Sequence, residues 1–360
     1  MRAKRRWHLD GPLIVFLVIL CLSSLFILYS ATGENDAAML RQAIRILISF
    51  VVLAIVAQIS PQTWHRWSPW MYVIGSMLLA AVLLLGIVGK GAQRWLDLGF
   101  FQFQPSELMK LGVPMMAAWV VSSRSLPLSF AMTCLVLLVV VFPVALVLLQ
   151  PDLGTAILIA VSGFMIVILA GLRWRYMLGS LVCFVVAAPY LWTYLHDYQQ
   201  RRILTLIDPW SDPLGAGYHT IQSMIAIGSG GSGGKGWLAG SQSQLEFIPE
   251  RSTDFIFSVF AEEFGLMGVG ALLAIYMCIV FRSLMIAYAA QDTWSRLLAG
   301  SLSLTFFFYV FVNIGMVSGM LPVVGVPLPL ISYGGTSMVT LMFGFGILMS
   351  IHSHQSLMDH

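Results

Sequence analysis

Apolar runs recur along this chain from one end to the other. About ten of them are long enough to span a membrane, at residues 12–30, 42–59, 69–88, 107–122, 128–149, 153–170, 175–195, 255–281, 297–318 and 334–351. A helix of roughly 18 or more apolar residues crosses the hydrocarbon core of a bilayer. Backbone polar groups in lipid must be paired within their own segment, so these spans must be helical. The sequence therefore predicts an all-α polytopic membrane protein with about ten transmembrane helices, forming a single membrane domain over residues 1–360.

Composition excludes several classes of function. The chain is 59% hydrophobic and 10% charged, with a formal net charge of only +3, so we expect no nucleic acid partner. All the cysteines lie inside apolar runs and are interpreted as packing residues. The segment GSGGSG at 228–233 fits the pattern G-x-G-x-x-G, but no strand precedes it, so we expect no nucleotide cofactor.

Charge asymmetry predicts the orientation in the membrane. An even number of spans puts both termini on one side, and the basic start MRAKRR favours the cytoplasm for that side. Only Asp10, Asp292 and Asp359 among the acidic residues fall on this inner side. Because acidic residues contribute little to topology, their concentration at the other end indicates that the chemistry faces outward.

One long outer loop is predicted between the seventh and eighth spans, at residues 196–254. Its proline and glycine residues interrupt regular structure. Ile221, Met224 and Ile225 recur at helical spacing and predict a short helix at the membrane surface. The glycines that follow favour a flexible or closely packed loop, and a loop of this length is often functional.

The end of this loop carries the most unusual charge cluster. Residues 244–263 contain six charged side chains at a predicted membrane boundary, including Glu250, Arg251 and Asp254. Asp254 has two interpretations: it caps the helix that begins nearby, or it is a reactive carboxylate at the interface. The residues of this segment alone leave both open.

Residues 90–110 place Arg94, Glu107 and Lys110 near the start of the fourth span. Glu107 and Lys110 are three residues apart and can pair on one helix face. An ordinary helix entry explains this pattern, but a charge drawn into hydrocarbon costs about 2.5–3.5 kcal/mol on insertion scales. That cost favours a role beyond packing for Lys110, and for Arg94 if its loop folds back.

Two further outer segments stand out. The short connection LQPDLGT at 149–155 carries Asp152, which either caps the next helix or belongs to a site. Residues 316–337 are too apolar for an exposed loop and too rich in proline for a helix. We expect this segment to enter the protein and line a cavity.

These outer segments combine carboxylates with cations. The candidate site residues are Asp254 as the reactive carboxylate, with Arg94, Glu107, Lys110, Asp152, Glu250 and Arg251 as binding residues. Cations suit a phosphate group, and a carboxylate suits a general base that activates a hydroxyl. A divalent cation, Mg²⁺ or Mn²⁺, could bridge carboxylate and pyrophosphate oxygens, but the sequence does not identify its ligands.

Long motifs in the same segments resemble the SEDS family. They include KGAQRWLDLG, QPDLGT, the segment from DPLGAGYH to TDF, and GMLPVVGVPLPL followed by SYGG. The similarity extends from the first helix to the last and is stronger to the elongation branch than to the division branch.

The resemblance implies a peptidoglycan glycosyltransferase with ten transmembrane helices that polymerises lipid II at the outer leaflet of the inner membrane. It implies that Asp254 is the catalytic residue and marks Arg94, Glu107, Lys110 and Asp152 as positions that match the family. The implied partners are a class B penicillin-binding protein, which is a transpeptidase, and other membrane proteins of the elongation complex. A flippase for lipid-linked precursors and a non-catalytic scaffold remain as alternatives.

Overall fold

A computed structural model describes residues 8–355 except 90–91, 98–101, 195–199, 201–203, 207, 214, 216, 246 and 249. The basic segment MRAKRR, on which the predicted orientation depends, lies outside the described residues. The helices are α1 (Gly11–Ala31), α2 (Asp36–Gln58), α3 (Pro61–Leu85), α4 (Pro105–Ser122), α5 (Phe130–Leu149), α6 (Leu153–Leu169), α7 (Trp174–Tyr194), α8 (Tyr218–Ser229), α9 (Ser241–Gln244), α10 (Ile256–Ala289), α11 (Thr293–Val317) and α12 (Thr336–Gln355).

Each predicted span coincides with one of these helices, which agrees with a helical polytopic membrane protein. Among the described residues, seven helices are long and apolar enough to cross a membrane, and α6 is a shorter apolar helix. The predicted span bounds differ most from the observed helix bounds at the start of α3 and at the end of α10. Helix α3 begins at Pro61, because a proline at the first helical position is already compatible with helical geometry. Helix α10 continues to Ala289.

Side-chain caps start several of the helices. Asp10, Asn35, Ser129, Asp152 and Asp292 each accept a hydrogen bond from a backbone N–H in the first turn of α1, α2, α5, α6 and α11 respectively. These N–H groups have no partner inside the helix, so the caps stabilise the start of each one.

A small antiparallel sheet between α3 and α4 departs from the all-α prediction. Its strands are β1 (Ile87–Gly89), β2 (Ala92–Asp97) and β3 (Gln102–Phe103), in the order β1-β2-β3. Ile87 pairs with Trp95 and Leu96 pairs with Phe103. The strands are too short to show a period-two pattern in the sequence. They fold the chain back after α3 and hold Arg94 in β2.

The helix predicted within the long loop is present as α8, and it packs on α10 and α11. The glycine-rich segment that follows α8 is closely packed, as one of the two sequence interpretations allows. Lys235 N donates to Glu262 O at 3.0 Å, and Leu266 N donates to Gly231 O at 2.9 Å. A Cβ atom on Gly234 would lie 2.1 Å from the carbonyl oxygen of Glu263, so only glycine fits this contact.

Helix α4 lies inside the bundle. It contacts α3, α5, α6, α11 and α12, and its residues from Pro105 to Met115 are almost all buried. The charges of Glu107 and Lys110 therefore face protein. This burial explains how α4 carries two charged residues near its start.

Candidate active site

A cavity of about 510 Å³ lies where the predicted outer segments meet. It is formed by β2, the start of α4, the α5–α6 connection, the residues before α10, and the segment between α11 and α12. All these segments follow or precede helices at the same end of the bundle. The lining residues are Arg94, Trp95, Gln104, Glu107, Asp152, Thr155, Leu158, Thr253, Asp254, Tyr309, Gly325, Val326, Pro327, Tyr333, Gly334, Gly335, Thr336 and Ser337.

Asp254 lies in this cavity and is half-buried. Helix α10 begins at Ile256, and its N-cap residue is Phe255, which makes no side-chain capping bond. Asp254 therefore precedes the N-cap position, which disfavours capping as the reason for this carboxylate. Its Oδ2 atom faces Gly325, where a Cβ atom would lie only 3.4 Å away.

Asp152 is both a helix cap and a residue of the cavity, the two roles that the sequence left open. Its Oδ1 atom accepts a hydrogen bond from the N–H of Thr155 at 3.3 Å, so it caps α6. Its Oδ2 atom accepts from Nε2 of Gln104 at 3.1 Å. The residue also lines the cavity, so helix capping holds a carboxylate in a fixed position there.

Arg94 lies opposite the start of α6. Its Nε atom is 3.8 Å from Oδ2 of Asp152, and its Nη2 atom donates to the carbonyl of Pro151 at 2.7 Å. About a third of its side chain is exposed. The sheet therefore places a guanidinium group at the cavity wall, beside a carboxylate that orients it.

Glu107 and Lys110 form a buried ion pair. Lys110 Nζ donates to Oε1 of Glu107 at 2.6 Å and to the hydroxyl of Tyr309 at 2.6 Å. Glu107 and Tyr309 line the cavity, and Lys110 bonds to both of them. Oε2 of Glu107 is buried without a hydrogen-bond partner among the described residues.

Glu250 and Arg251 lie in the turn before Asp254 but are not among the residues that line the cavity. Oε2 of Glu250 accepts a hydrogen bond from the hydroxyl of Thr253 at 2.7 Å. Arg251 approaches the α1–α2 connection, where its Nη2 atom is 3.8 Å from the position of a Cβ on Gly33. Their predicted role in substrate binding stays a prediction.

Three aromatic residues of the cavity wall were not recognised in the sequence as site residues. Trp95 fits the pattern of an aromatic belt, but it lines the cavity beside Arg94. Tyr309 lies in an apolar helix and carries no sequence signal of its own. Tyr333 belongs to the SYGG motif and Trp95 to the KGAQRWLDLG motif, and these motifs were the available signs.

Tyr333 is held by two arginines of α2. The Nε atom of Arg41 donates to its hydroxyl at 3.1 Å, and the guanidinium of Arg45 lies 4.3 Å from the centre of its ring. Burial opposes ionisation of Tyr333, but the hydrogen bond from Arg41 and the charges of Arg45 and Arg41 lower its pKa below the usual value. The cavity is therefore bordered by positive charge on this side as well.

The described residues contain no group of three or more His, Cys, Asp or Glu side chains placed to hold a metal ion. Mg²⁺ is often bound by one or two carboxylates together with substrate phosphates, without a complete protein site. The divalent cation expected from the sequence stays a prediction.

The fold and this cavity define a polytopic helical membrane protein with a polar, charged cavity at one end of its helix bundle. The chain belongs to the FtsW/RodA/SpoVE family of cell cycle proteins, whose family model matches residues 9–357. This family is the SEDS family that the sequence motifs resemble, so the predicted family membership is confirmed.

Individual relatives match over nearly their whole length. The peptidoglycan glycosyltransferase MrdB of Escherichia coli K12 is 52% identical over 98% of this chain and 95% of its own. A chain from a peptidoglycan synthase complex, solved to describe the coordination of polymerization and crosslinking, is 34% identical with a TM-score of 0.85, covering 96% of this chain and 98% of that one. The rod shape determining protein RodA of Thermus thermophilus is 29% identical with a TM-score of 0.72, covering 95% and 96%.

Proposed function

We propose that this chain is a peptidoglycan glycosyltransferase that polymerises lipid II into glycan strands during cell elongation, with Asp254 as the general base. The observation that carries the proposal is the cavity, which holds Asp254 together with Asp152, Glu107 and Arg94. The activity named for the MrdB relative supports the same reaction class. The arrangement suits a substrate that brings both a phosphate group and a hydroxyl to be activated.

In the proposed reaction, the 4-hydroxyl of an acceptor sugar attacks C1 of a donor sugar. Asp254 accepts the hydroxyl proton, a new C1–O bond forms, and the bond from C1 to the lipid pyrophosphate breaks. Attack opposite the leaving group inverts the anomeric carbon, as in inverting glycoside hydrolysis. General-base assistance of this kind contributes about 10²–10⁴-fold to the rate.

The leaving pyrophosphate carries negative charge, and Arg94 is the basic residue among the described lining residues of the cavity. Its bond to Pro151 and its proximity to Asp152 hold the guanidinium in place before substrate binds. Such a fixed cation stabilises charge that develops in the transition state. Lys110 acts indirectly, by holding Glu107 and Tyr309, because its ammonium group is bonded to both of these residues. A divalent cation stays a prediction, and no step here depends on it.

The proposed membrane arrangement has ten spans in the cell inner membrane. Both termini then lie in the cytoplasm, the long loop between α7 and α10 lies outside, and the cavity faces the periplasm. The distribution of basic residues in the short loops supports this orientation. A site on the outer face is consistent with a reaction driven by the pyrophosphate bond of the substrate.

The proposed partner is a class B penicillin-binding protein that crosslinks the strands that this chain polymerises. The similarity to a chain of a peptidoglycan synthase complex supports a partner with crosslinking activity. Other membrane proteins of the elongation complex are further proposed partners.

The test is polymerisation of purified lipid II by the protein together with its transpeptidase partner, with and without Mg²⁺ or Mn²⁺. Wild type is compared with Asp254→Asn and with Asp292→Asn as the matched control. Asp292 caps α11 at the opposite end of the molecule, and Asn preserves a cap. We expect glycan strands from wild type and the control, and none from Asp254→Asn at equal folding.

Polymer from Asp254→Asn at the wild-type rate would remove Asp254 as the base and direct attention to Glu107 or Asp152. If the intact wild-type complex makes no polymer, the two alternative functions, a lipid flippase and a non-catalytic scaffold, are favoured. Movement of lipid II across vesicles would then indicate a flippase, and an effect on the partner alone would indicate a scaffold.

A further inference from the structure

Asn313 is a buried polar residue near the outer end of α11, and the reaction proposed above does not use it. Its side chain is inaccessible to solvent, and it lies in an otherwise largely apolar helix. A buried amide is costly unless its hydrogen bonds are satisfied, and Oδ1 of Asn313 has no hydrogen-bond partner among the described residues. The partners of Asn313 therefore indicate what it does.

The amide nitrogen of Asn313 joins two segments that are far apart in sequence. Nδ2 donates to the backbone carbonyl of Asp254 at 2.9 Å and to the backbone carbonyl of Val326 at 2.7 Å. Two carbonyl acceptors identify this atom as the NH₂ group, because the amide oxygen cannot donate. Its two protons are thus both used to connect the Asp254 segment to the neighbouring segment around Val326, which also lines the cavity.

Further hydrogen bonds reinforce this connection. The hydroxyl of Ser332 donates to the carbonyl of Thr253 at 2.6 Å and accepts from the N–H of Leu328 at 2.7 Å. The N–H of Tyr333 donates to the carbonyl of Ser252 at 2.9 Å. Three successive carbonyls, those of residues 252, 253 and 254, are therefore all tied to α11 or to the segment between α11 and α12.

These contacts hold a short non-helical segment in which Asp254 carries the functional carboxylate. Asp254 lies in the turn before α10, two residues ahead of its first helical residue. The carboxylate approaches the backbone of Gly325, the residue before Val326. A bond from Asn313 to both Asp254 and Val326 therefore fixes the carboxylate relative to the wall that it faces.

We infer that Asn313 is a positioning residue for Asp254: its amide clamps the backbone of Asp254 to that of Val326, and Ser332 supports the clamp. The inference rests on the proposed function of Asp254 as general base. Loss of the clamp frees the carboxylate to move while leaving the substrate-binding groups in place. A displacement of about 1 Å at a reacting group can reduce the rate by about 10²-fold.

The experiment measures lipid II polymerisation by the complex with the transpeptidase partner, and backbone hydrogen exchange of the same samples by mass spectrometry. Asn313→Leu retains the size of the side chain and removes both donors, and Ser332→Ala tests the supporting contact independently. The control is Ser301→Ala, which removes a buried hydrogen bond of 2.6 Å to the carbonyl of Ser162 from the same helix. Ser301 lies outside the cavity lining.

For Asn313→Leu we expect kcat to fall about 10- to 100-fold with KM within about threefold of wild type. Exchange should rise in peptides that cover residues 250–256 and 324–333, and remain at wild-type levels elsewhere. Ser332→Ala should show the same pattern with a smaller effect, and Ser301→Ala should leave kcat unchanged.

A kcat of Asn313→Leu equal to that of wild type would overturn the inference. An equal decrease of kcat in Ser301→Ala, at the same decrease in thermal stability, would also overturn it. Exchange that rises along the whole of α11 would also overturn it, because that result indicates a general structural role. Failure of the proposed function is separate: wild type would then make no polymer, while the exchange measurement would still report whether the clamp holds residues 252–254.

Discussion

The ammonium nitrogen of Lys110 lies 2.6 Å from Oε1 of Glu107, one helical turn earlier in α4, and both side chains are buried. Lys110 also donates to the Tyr309 hydroxyl, which ties α4 to α11. The pair thus has two consequences. It neutralises charge inside the bundle, and it fixes the orientation of two residues that line the cavity.

Lys110→Met should destabilise the protein strongly, because it leaves the Glu107 carboxylate buried without its cation. Breaking a buried pair in this way costs about 3–5 kcal/mol of the free energy of unfolding. The double variant Lys110→Met with Glu107→Gln should recover part of this loss, since the uncompensated charge is gone. Unfolding of the purified protein in detergent is the measurement. Arg124→Met, at an exposed position, should change stability by no more than about 0.5 kcal/mol. Equal stability of the single and double variants would contradict the prediction.

Arg94→Ala should reduce kcat of polymerisation about 10²- to 10³-fold, the usual effect of removing one fixed group that stabilises developing charge. Arg94→Lys should be intermediate, because a single ammonium cannot reproduce the planar contacts to Asp152 and Pro151. Initial rates with purified lipid II provide the measurement. Arg124→Ala, which removes a positive charge at the other end of the molecule, serves as the control. Full activity in Arg94→Ala would show that another group carries the pyrophosphate charge.

Gly325→Ala should reduce the polymerisation activity, although Gly325 has no reactive side chain. Gly325 has φ of +72°, where a Cβ atom costs about 1–2 kcal/mol, and the new atom would lie 3.4 Å from Oδ2 of Asp254. The strain and the contact together should displace the carboxylate. Gly228→Ala is the matched control, since a Cβ there meets nothing within 4 Å. Comparison of polymerisation rates at equal protein folding tests this, and equal rates for the two variants would refute it.

Acidification should release a contact of Asp10 at the start of α1. Asp10 bonds to Arg282 at 2.5 Å and to the N–H of Leu13 at 2.9 Å. Burial alone would raise the pKa of Asp10, but these hydrogen bonds and the nearby charges of Arg282 and His352 lower it. A lowered carboxylate pKa stabilises the folded protein above the unfolded value of about 3.9, and this contribution disappears as the pH falls through the folded pKa.

Asp10→Asn should therefore be less stable than wild type at neutral pH and should lose less stability than wild type below about pH 4. Asn still caps α1, so the difference reports the charge. Thermal unfolding from pH 7 down to pH 3 measures both effects. Asp36→Asn, at an exposed position in α2, should follow wild type throughout. An identical acid profile for wild type and Asp10→Asn would contradict the assignment.

Much of this architecture was available from the sequence. Apolar runs of sufficient length must form helices in lipid, so all ten predicted spans correspond to helices of the structure. Alternation of direction from one span to the next then places Arg94, Asp152 and Asp254 at the same end of the bundle. These conclusions depend only on local composition and on counting, which is why a single sequence determined them.

Tertiary structure decided which side chains meet. The pairing of Glu107 with Lys110 was foreseen because the residues lie on one helix face, but the bond from Lys110 to Tyr309 joins positions far apart in the chain. The short sheet, which places Trp95 in the cavity, lacks a sequence period long enough to detect. Asn313 resembles any polar residue in an apolar run until its two carbonyl partners are known. Distances of a few ångströms between distant segments arise from packing of the whole bundle, and local patterns do not encode them.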